Sequence, residues 1–285
     1  MTRSSAVAEA RPRLVAPPGS CDCHVHIFDT RFPFSKSAPY VPDAATVDDW
    51  MAVQRRLGLT RTVIVQASPY GTDNACAEDA IRRLGPGNAR GIAKLSPSGT
   101  TDAEFERLTG AGFRGVRFQM APGDALPVAA MRDVAERAGP LGWIVQLRLD
   151  GHDLPEHEAA LRDLPGTLMI DHTARFHGSG TTESPGFRAL LRLVDGGRCW
   201  VKLSAPYLSS KDGYPGYADI GALTRALVAH APERLVWATD WPHTGLRGGS
   251  KPDAAVLLDL LLDWAPDEAT RRMVLADNPA ALYGF

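Results

Sequence analysis

The stretch Cys21–Phe28 reads CDCHVHIF. Successive side chains of a β-strand point to opposite faces. Asp22, His24 and His26 therefore share one face, and Cys21, Cys23 and Val25 share the other. Seven more apolar runs of strand length follow: Thr62–Ser68, Gly91–Leu95, Gly115–Phe118, Trp143–Leu147, Leu168–His172, Trp200–Ser204 and Leu235–Asp240. Amphipathic stretches with apolar residues at helical spacing separate them, at Thr46–Leu57, Asp73–Leu84, Thr101–Ala111, Val128–Ala138, Pro155–Leu164, Ser184–Val194 and Ala218–His230. Thr46, Asp73, Thr101 and Ser184 stand where helix N-caps belong. Asp253–Trp264 and Asp267–Ala276 follow the last strand. This α/β alternation predicts a parallel sheet, and eight units close into a single (β/α)8 TIM barrel. The barrel is expected over residues 20–285, behind a flexible N-terminal tail of residues 1–19.

The other strands repeat the phase of the first. Ile64, Gln66 and Ser68 line up, as do Ile92 with Lys94, Arg117 with Gln119, and Ile144 with Gln146 and Arg148. Ile170 precedes His172, Lys202 precedes Ser204, and Val236 and Ala238 lead to Asp240. The alternate positions stay apolar, as in Val63, Val65, Val116, Phe118, Val145, Leu147, Val201, Leu203 and Trp237. The apolar face is expected under the helices. The polar face is expected to converge at the C-terminal mouth, where barrels of this kind hold their active sites. Gathering so many polar groups costs free energy unless they pair or serve a ligand.

Composition narrows the class. Of 285 residues, 44% are hydrophobic and 22% charged, with a formal charge of −2. That is ordinary globular make-up, with neither a nucleic-acid footprint nor a membrane-seeking surface. The four cysteines, Cys21, Cys23, Cys76 and Cys199, form no C-x-x-C pair. They are read as reduced thiols of a cytoplasmic protein. The first twenty residues lack the apolar run of a secretory signal. The apolar stretch Ala254–Ala265 is interrupted by Asp259 and Asp263, so no membrane span is expected. Monomer and homo-oligomer are both compatible with this reading.

His24 and His26 on the first strand, His172 on the sixth and Asp240 on the eighth are the candidate catalytic group. Such a set either holds a metal ion or works without one, as hydrogen-bonding imidazoles around a carboxylate base. At these residues the chain resembles the amidohydrolase superfamily. Within it the resemblance is to amidohydrolase-2 type TIM-barrel hydrolases, the branch of 2-pyrone-4,6-dicarboxylate lactonase, galactarolactone isomerase and sulfomuconolactone hydrolase. The motifs that carry it are CDCHVHIFD (Cys21–Asp29), VIVQASPYGTDN (Val63–Asn74), GFRGVRF (Gly112–Phe118), IDHTAR (Ile170–Arg175), WVKLSAPY (Trp200–Tyr207) and TDWPH (Thr239–His243). Two-metal members of the superfamily require a carbamylated lysine on strand four and a histidine on strand five. Arg117 and Gln146 with Arg148 stand there instead. The resemblance to the lactonase implies a site that requires no cofactor. The alternative is one zinc ion on His24, His26, His172 and Asp240.

The mouth collects Lys94, Arg117, Arg148, Arg175 and Lys202 in a chain whose overall charge is slightly negative. Guanidinium forks suit carboxylates. The expected partner is thus a small anionic lactone. Tyr40 resembles the substrate-contacting tyrosine of the family. Ser68, Gln146, Ser204, Tyr207 and His243 complete the expected substrate-binding set. The family lactonase has a further arginine shortly after that of strand four, and Gln119–Asp124 contains none. This points to a different lactone acid. The expected reaction is hydrolysis of a carboxylic ester bond in a lactone, with Asp240 activating water and His24, His26 and His172 polarising the carbonyl. The alternatives are a sugar-acid lactone isomerase and a zinc-dependent decarboxylase. Arg247–Lys251 reads as a lid loop.

Overall fold

A computed structural model describes residues 10–96, 98–120, 127–178, 180–246 and 250–285. Eight parallel strands form one sheet in sequence order: β1 (Cys21–Val25), β2 (Arg61–Val65), β3 (Ala89–Ala93), β4 (Phe113–Gln119), β5 (Ile144–Arg148), β6 (Thr167–Ile170), β7 (Cys199–Leu203) and β8 (Leu235–Trp237). Helices connect them on the outside: α1 (Val47–Leu57), α2 (Ala75–Leu84), α3 (Asp102–Gly110), α4 (Val128–Ala138), α5 (Leu154–Arg162), α6 (Pro185–Asp195) and α7 (Ala218–His230). This is the (β/α)8 barrel that the alternation predicts.

Local chemistry sets several boundaries. Thr46 accepts from the Asp49 amide while the Asp49 carboxylate accepts from the Thr46 amide, a reciprocal cap that starts α1. Thr101 and Ser184 cap α3 and α6 in the expected way. Asp73 does not cap α2 directly; Asn74 takes that position, and Asp73 accepts from the Ala75 amide at 3.0 Å.

The seam between β8 and β1 determines where the chemistry sits. It is joined by single contacts around a bridge of Val25 to Trp241. The Asp240 amide donates to the His24 carbonyl at 3.1 Å, and the His26 amide to the Trp241 carbonyl at 2.9 Å. Beneath them the buried Asp22 carboxylate accepts from the His24 amide, the Thr239 amide and the Thr239 hydroxyl, the last at 2.6 Å. Barrel closure therefore places both strand-one histidines beside Asp240.

The barrel interior holds Cys21, Cys23, Val63, Val65, Ile92, Ile144, Met169, Trp200, Val236 and Ala238. Val25, Ile64, Val116, Val145, Leu147, Ile170, Val201, Leu203 and Trp237 pack outside, under the helices. The faces expected for β3, β4, β5, β7 and β8 match. Those of β2 and β6 are reversed, with Ile64 and Ile170 outside. In β1 the cysteines face inward. A register irregularity between Asp22 and Val25 then changes the phase, so that His24 and His26 still look into the mouth.

Residues 1–9 of the expected tail lie outside the described residues. Nearer the barrel, the Arg13 and Leu14 amides both donate to Asp259 Oδ1 at 2.8 Å, and Leu14 is buried. Among the described residues, no helix is long and apolar enough to cross a membrane.

Candidate active site

His24, at the top of β1, is fully buried. Its Nδ1 lies 3.2 Å from Lys202 Nζ, and its Nε2 lies 3.2 Å from His26 Nε2. His26 Nδ1 is 2.7 Å from the Val65 carbonyl, so Nδ1 carries the His26 proton and Nε2 is an acceptor. An ammonium donating to His24 Nδ1 puts the His24 proton on Nε2, aimed at His26. The chain of donors therefore runs from Lys202 through both imidazoles to the Val65 carbonyl. Burial, reinforced by Lys202, holds His24 well below the usual histidine range, and burial with Arg117 lowers His26 to about 3. Both rings are neutral.

Asp240 completes the triangle, with Oδ1 3.6 Å from His24 Nε2 and 3.7 Å from His26 Nε2. Its Oδ2 accepts from the Tyr207 hydroxyl at 2.7 Å, and His243 Nδ1 stands 3.1 Å from the same hydroxyl oxygen. Burial raises the Asp240 carboxyl to about 7, against the lowering effects of the Tyr207 hydrogen bond and Arg117. A carboxylate poised near neutrality suits a general base. Tyr207→Phe removes a hydrogen bond to the ionised form. The acid limb of kcat/KM should move above pH 7 by about 1–2 units, the equivalent of the roughly 1.5–3 kcal/mol that such a bond contributes. A pH–rate profile of the variant checks this. An unmoved limb would show that Asp240 is not the titrating base.

Past β6 the chain makes an unusual turn. His172, Thr173, Ala174 and Arg175 have φ values of 56, 50, 61 and 47°. Successive non-glycine residues in this left-handed region are costly. The turn brings His172 back over the mouth, where its Nδ1 meets the Ser204 hydroxyl at 2.8 Å and its ring lies 4.8 Å from that of His24. Burial, with Arg175 nearby, holds His172 well below the usual range. Arg175 is carried to the same side.

Arg117 is buried at the end of β4 and donates to the Gln66 carbonyl at 3.1 Å. The Nε atoms of Arg117, Arg148 and Arg175 are all buried without a hydrogen-bond partner. Among the described residues, no carboxylate forms an ion pair with these three or with Lys94. Burial, then Arg148, lowers Arg175 to about 10, and burial followed by Arg117 lowers Lys94. This is a cationic wall, offset only at longer range by the carboxylates of Asp171, Asp240 and Asp150.

Several residues expected to contact substrate make hydrogen bonds within the protein. Lys202 is fully buried beneath His24, 2.9 Å from Gln146 Oε1 and 3.1 Å from Asp171 Oδ1. Gln146 spans this ion pair, its Nε2 donating to Asp171 Oδ2 at 2.9 Å. Ser204 is hydrogen-bonded to His172, and Tyr207 to Asp240. Ser68 donates to Gln119 Oε1 at 3.0 Å. The Lys94 backbone is clamped on both sides by the Asn74 amide group. Tyr40 and His243 line a cleft of 1420 Å³ beside the mouth, between the loops after β1, β7 and β8. That cleft meets the site through Tyr207 and His243 rather than through the arginines. Residues 121–126 and 247–249 lie outside the described residues, and with them most of the arginine-free segment after strand four and the core of the expected lid.

Asp171 and Asp22 were not singled out by sequence. Burial alone would raise Asp171, but Lys202 beside it holds the carboxyl well below the usual range. Each acid stands within a motif, next to a histidine or one residue from it. That adjacency was the available signal.

Donor atoms of His24, His26 and Asp240 lie within 4.8 Å of one another, a separation compatible with a metal ion's ligands. The hydrogen bonding does not suit one. A metal at His24 Nε2 needs the lone pair there, whereas an ammonium donating to His24 Nδ1 leaves the ring proton on Nε2.

A family model described as amidohydrolase matches residues 21–285. D-galactarolactone isomerase of Agrobacterium fabrum is 34% identical over 275 residues, covering 95% of this chain and 93% of that protein. 4-Sulfomuconolactone hydrolase of Hydrogenophaga intermedia is 34% identical over 278 residues, covering 95% and 91%. The crystal structure of a probable 2-pyrone-4,6-dicarboxylic acid hydrolase from Acinetobacter baumannii, with citric acid bound, superposes with a TM-score of 0.79. It is 26% identical, covering 94% of this chain and all of that one.

Proposed function

The chain belongs to the amidohydrolase family, and on that footing we propose that it opens the lactone ring of a small carboxylate-bearing substrate, with Asp240 as general base. The observation that carries this reading is the cationic wall. Three buried guanidinium Nε donors without partners stand beside a poised carboxylate. An anionic substrate would supply the missing acceptors. The named relatives act on lactones, and the citric acid in the related structure is a polycarboxylate.

Arg117, Arg148 and Arg175 grip the substrate carboxylate and set the ring against the triangle. The lactone carbonyl oxygen displaces His26 as acceptor of the His24 Nε2 proton, and this hydrogen bond strengthens as negative charge builds on that oxygen. Asp240 takes a proton from the attacking water. A carbon–oxygen bond forms to water, the ring carbon–oxygen bond breaks, and Asp240 returns the proton to the leaving oxygen. His172, fixed through Nδ1 by Ser204, presents Nε2 to the same region. No step requires a metal.

The isomerase relative favours a second reading, in which a substrate hydroxyl attacks in place of water. Assays of an acidic lactone panel in 18O-water, with and without prior chelator dialysis, separate the readings. Hydrolysis places one 18O in the new carboxylate, and isomerisation places none. Turnover should survive chelation. Inactivity across the panel would overturn the lactone reading, and loss of activity restored by zinc would overturn the metal-free one.

A further inference from the structure

Lys202 is a lysine with no exposed surface, inside the barrel beneath the histidines. Its Nζ faces three acceptor atoms: Gln146 Oε1 at 2.9 Å, Asp171 Oδ1 at 3.1 Å and His24 Nδ1 at 3.2 Å. An ammonium has three N–H groups and no lone pair; here it donates to Gln146 Oε1 and His24 Nδ1 and forms an ion pair with the Asp171 carboxylate, whose Oδ1 accepts no hydrogen bond. An uncharged amine would leave the buried Asp171 carboxylate without its counter-charge. The cation is thus built into the floor of the site, and a fully buried ammonium requires such pairing.

We propose that Lys202 is a positioning residue that locks His24 in its Nε2–H tautomer, so that the His24–His26–Asp240 triangle offers a hydrogen-bond donor to substrate and is closed to divalent metal. For a metal to bind His24 Nε2, the proton there must move to Nδ1. In other metal sites the freed Nδ1–H donates to a carboxylate or carbonyl, which orients the ring. The carboxylate for that task is present, since Asp171 Oδ1 lies 3.5 Å from His24 Nδ1. Lys202 occupies the position from which it would act and directs an N–H at Nδ1. Two N–H groups would then face each other, and a further positive charge would sit behind the metal-binding ring. Removing the ammonium leaves two imidazoles, a carboxylate and a ready outer carboxylate, which is the composition of a metal site. The inference rests on the triangle and its floor and is independent of the substrate, so it can fail while the lactone reading stands, or the reverse.

Two measurements test it. The first uses the unaltered protein with its eight histidines labelled with 15N. The spectrum should show His24 with a protonated Nε2 and an unprotonated Nδ1, assigned by loss of its signals in His24→Asn. A protonated Nδ1 overturns the proposal. The second titrates cobalt(II) into the unaltered protein and into Lys202→Met, which keeps length and apolar bulk, and follows the ligand-field absorption. Binding should be about 10–100-fold tighter in the variant, the range over which outer partners of ligating histidines tune affinity. The gain should vanish in Lys202→Met/Asp240→Asn. Equal affinity in the unaltered protein and the variant, or a gain that survives loss of Asp240, overturns the proposal. If Lys202→Met does not fold, Lys202→Met/Asp171→Asn removes both charges of the pair and is titrated in its place, with any gain over the unaltered protein counting in favour and none against. The tautomer measurement decides independently of any Lys202 variant.

Discussion

Asp240→Asn should yield a folded protein whose turnover is about 10²–10⁴-fold below the parent, the usual cost of losing a general base. Asparagine is the informative choice because Asp240 has a φ of 61°, and among side-chain-bearing residues asparagine is one of the few that tolerate the left-handed region. The backbone strain of an alanine is avoided. The amide oxygen can still accept the Tyr207 hydrogen bond, so the link through Tyr207 to His243 survives. What is lost is the second oxygen, near both imidazole Nε2 atoms, with its capacity to take a proton. Circular dichroism and a melting curve establish folding, and steady-state kinetics on the best lactone read the effect. Parent-like turnover in the folded variant would move the base to a histidine.

Arg117→Met should lose about 2–5 kcal/mol of transition-state stabilisation on an anionic substrate, the range seen when one partner of a buried charge pair is deleted. Methionine keeps much of the stem and gives up the fork. The variant also loses the hydrogen bond to the Gln66 carbonyl, so a single comparison would mix recognition with support of the loop after β2. A second substrate separates them. If the carboxylate that Arg117 grips is replaced by an amide, the parent enzyme should handle it poorly and the variant should lose little more. Equal losses on both substrates would make Arg117 structural and leave recognition to Arg148, Arg175 and Lys94. Arg117 also helps to hold the Asp240 carboxyl down, so the acid limb of the variant's pH profile should move upward.

Strand parity in the sequence carries much of this fold, and its failures have local causes. It succeeds where a strand runs unbroken to the mouth, as in β4, whose ladder with β5 pairs Arg117 with Gln146 and Gln119 with Arg148. It fails in β2 because Gln66 and Ser68 were counted as strand residues. β2 ends at Val65, and Ser68 begins a short helical turn. Parity cannot pass through a turn. In β6, His172 reaches the site from the left-handed turn and Asp171 from the strand end, so a polar residue in the expected place stood for a strand of opposite phase. Depth was the other illegible quantity. Lys202 and Gln146 lie on the expected face but are fully buried beneath His24, because barrel layers are staggered around the axis and alternation gives the face without the height. The grouping of His24, His26 and Asp240 was legible, since two histidines one residue apart and an acid at the last strand remain neighbours wherever the seam closes.

The left-handed turn at His172–Arg175 sets a limit on how this protein can be made heat-resistant. At about 1–2 kcal/mol per residue, its four residues hold roughly 4–8 kcal/mol out of the native state, against the total of about 5–15 kcal/mol that typically separates folded from unfolded chains. Thr173 and Ala174 are buried within the turn. Glycine at either position would relieve strain, and a screen that rewards thermal survival alone would be expected to favour it. The same glycine would let His172 and Arg175 swing away from the mouth, so survivors enriched there would be sturdier and slower. Stabilisation is better sought on the outer helices, away from the mouth.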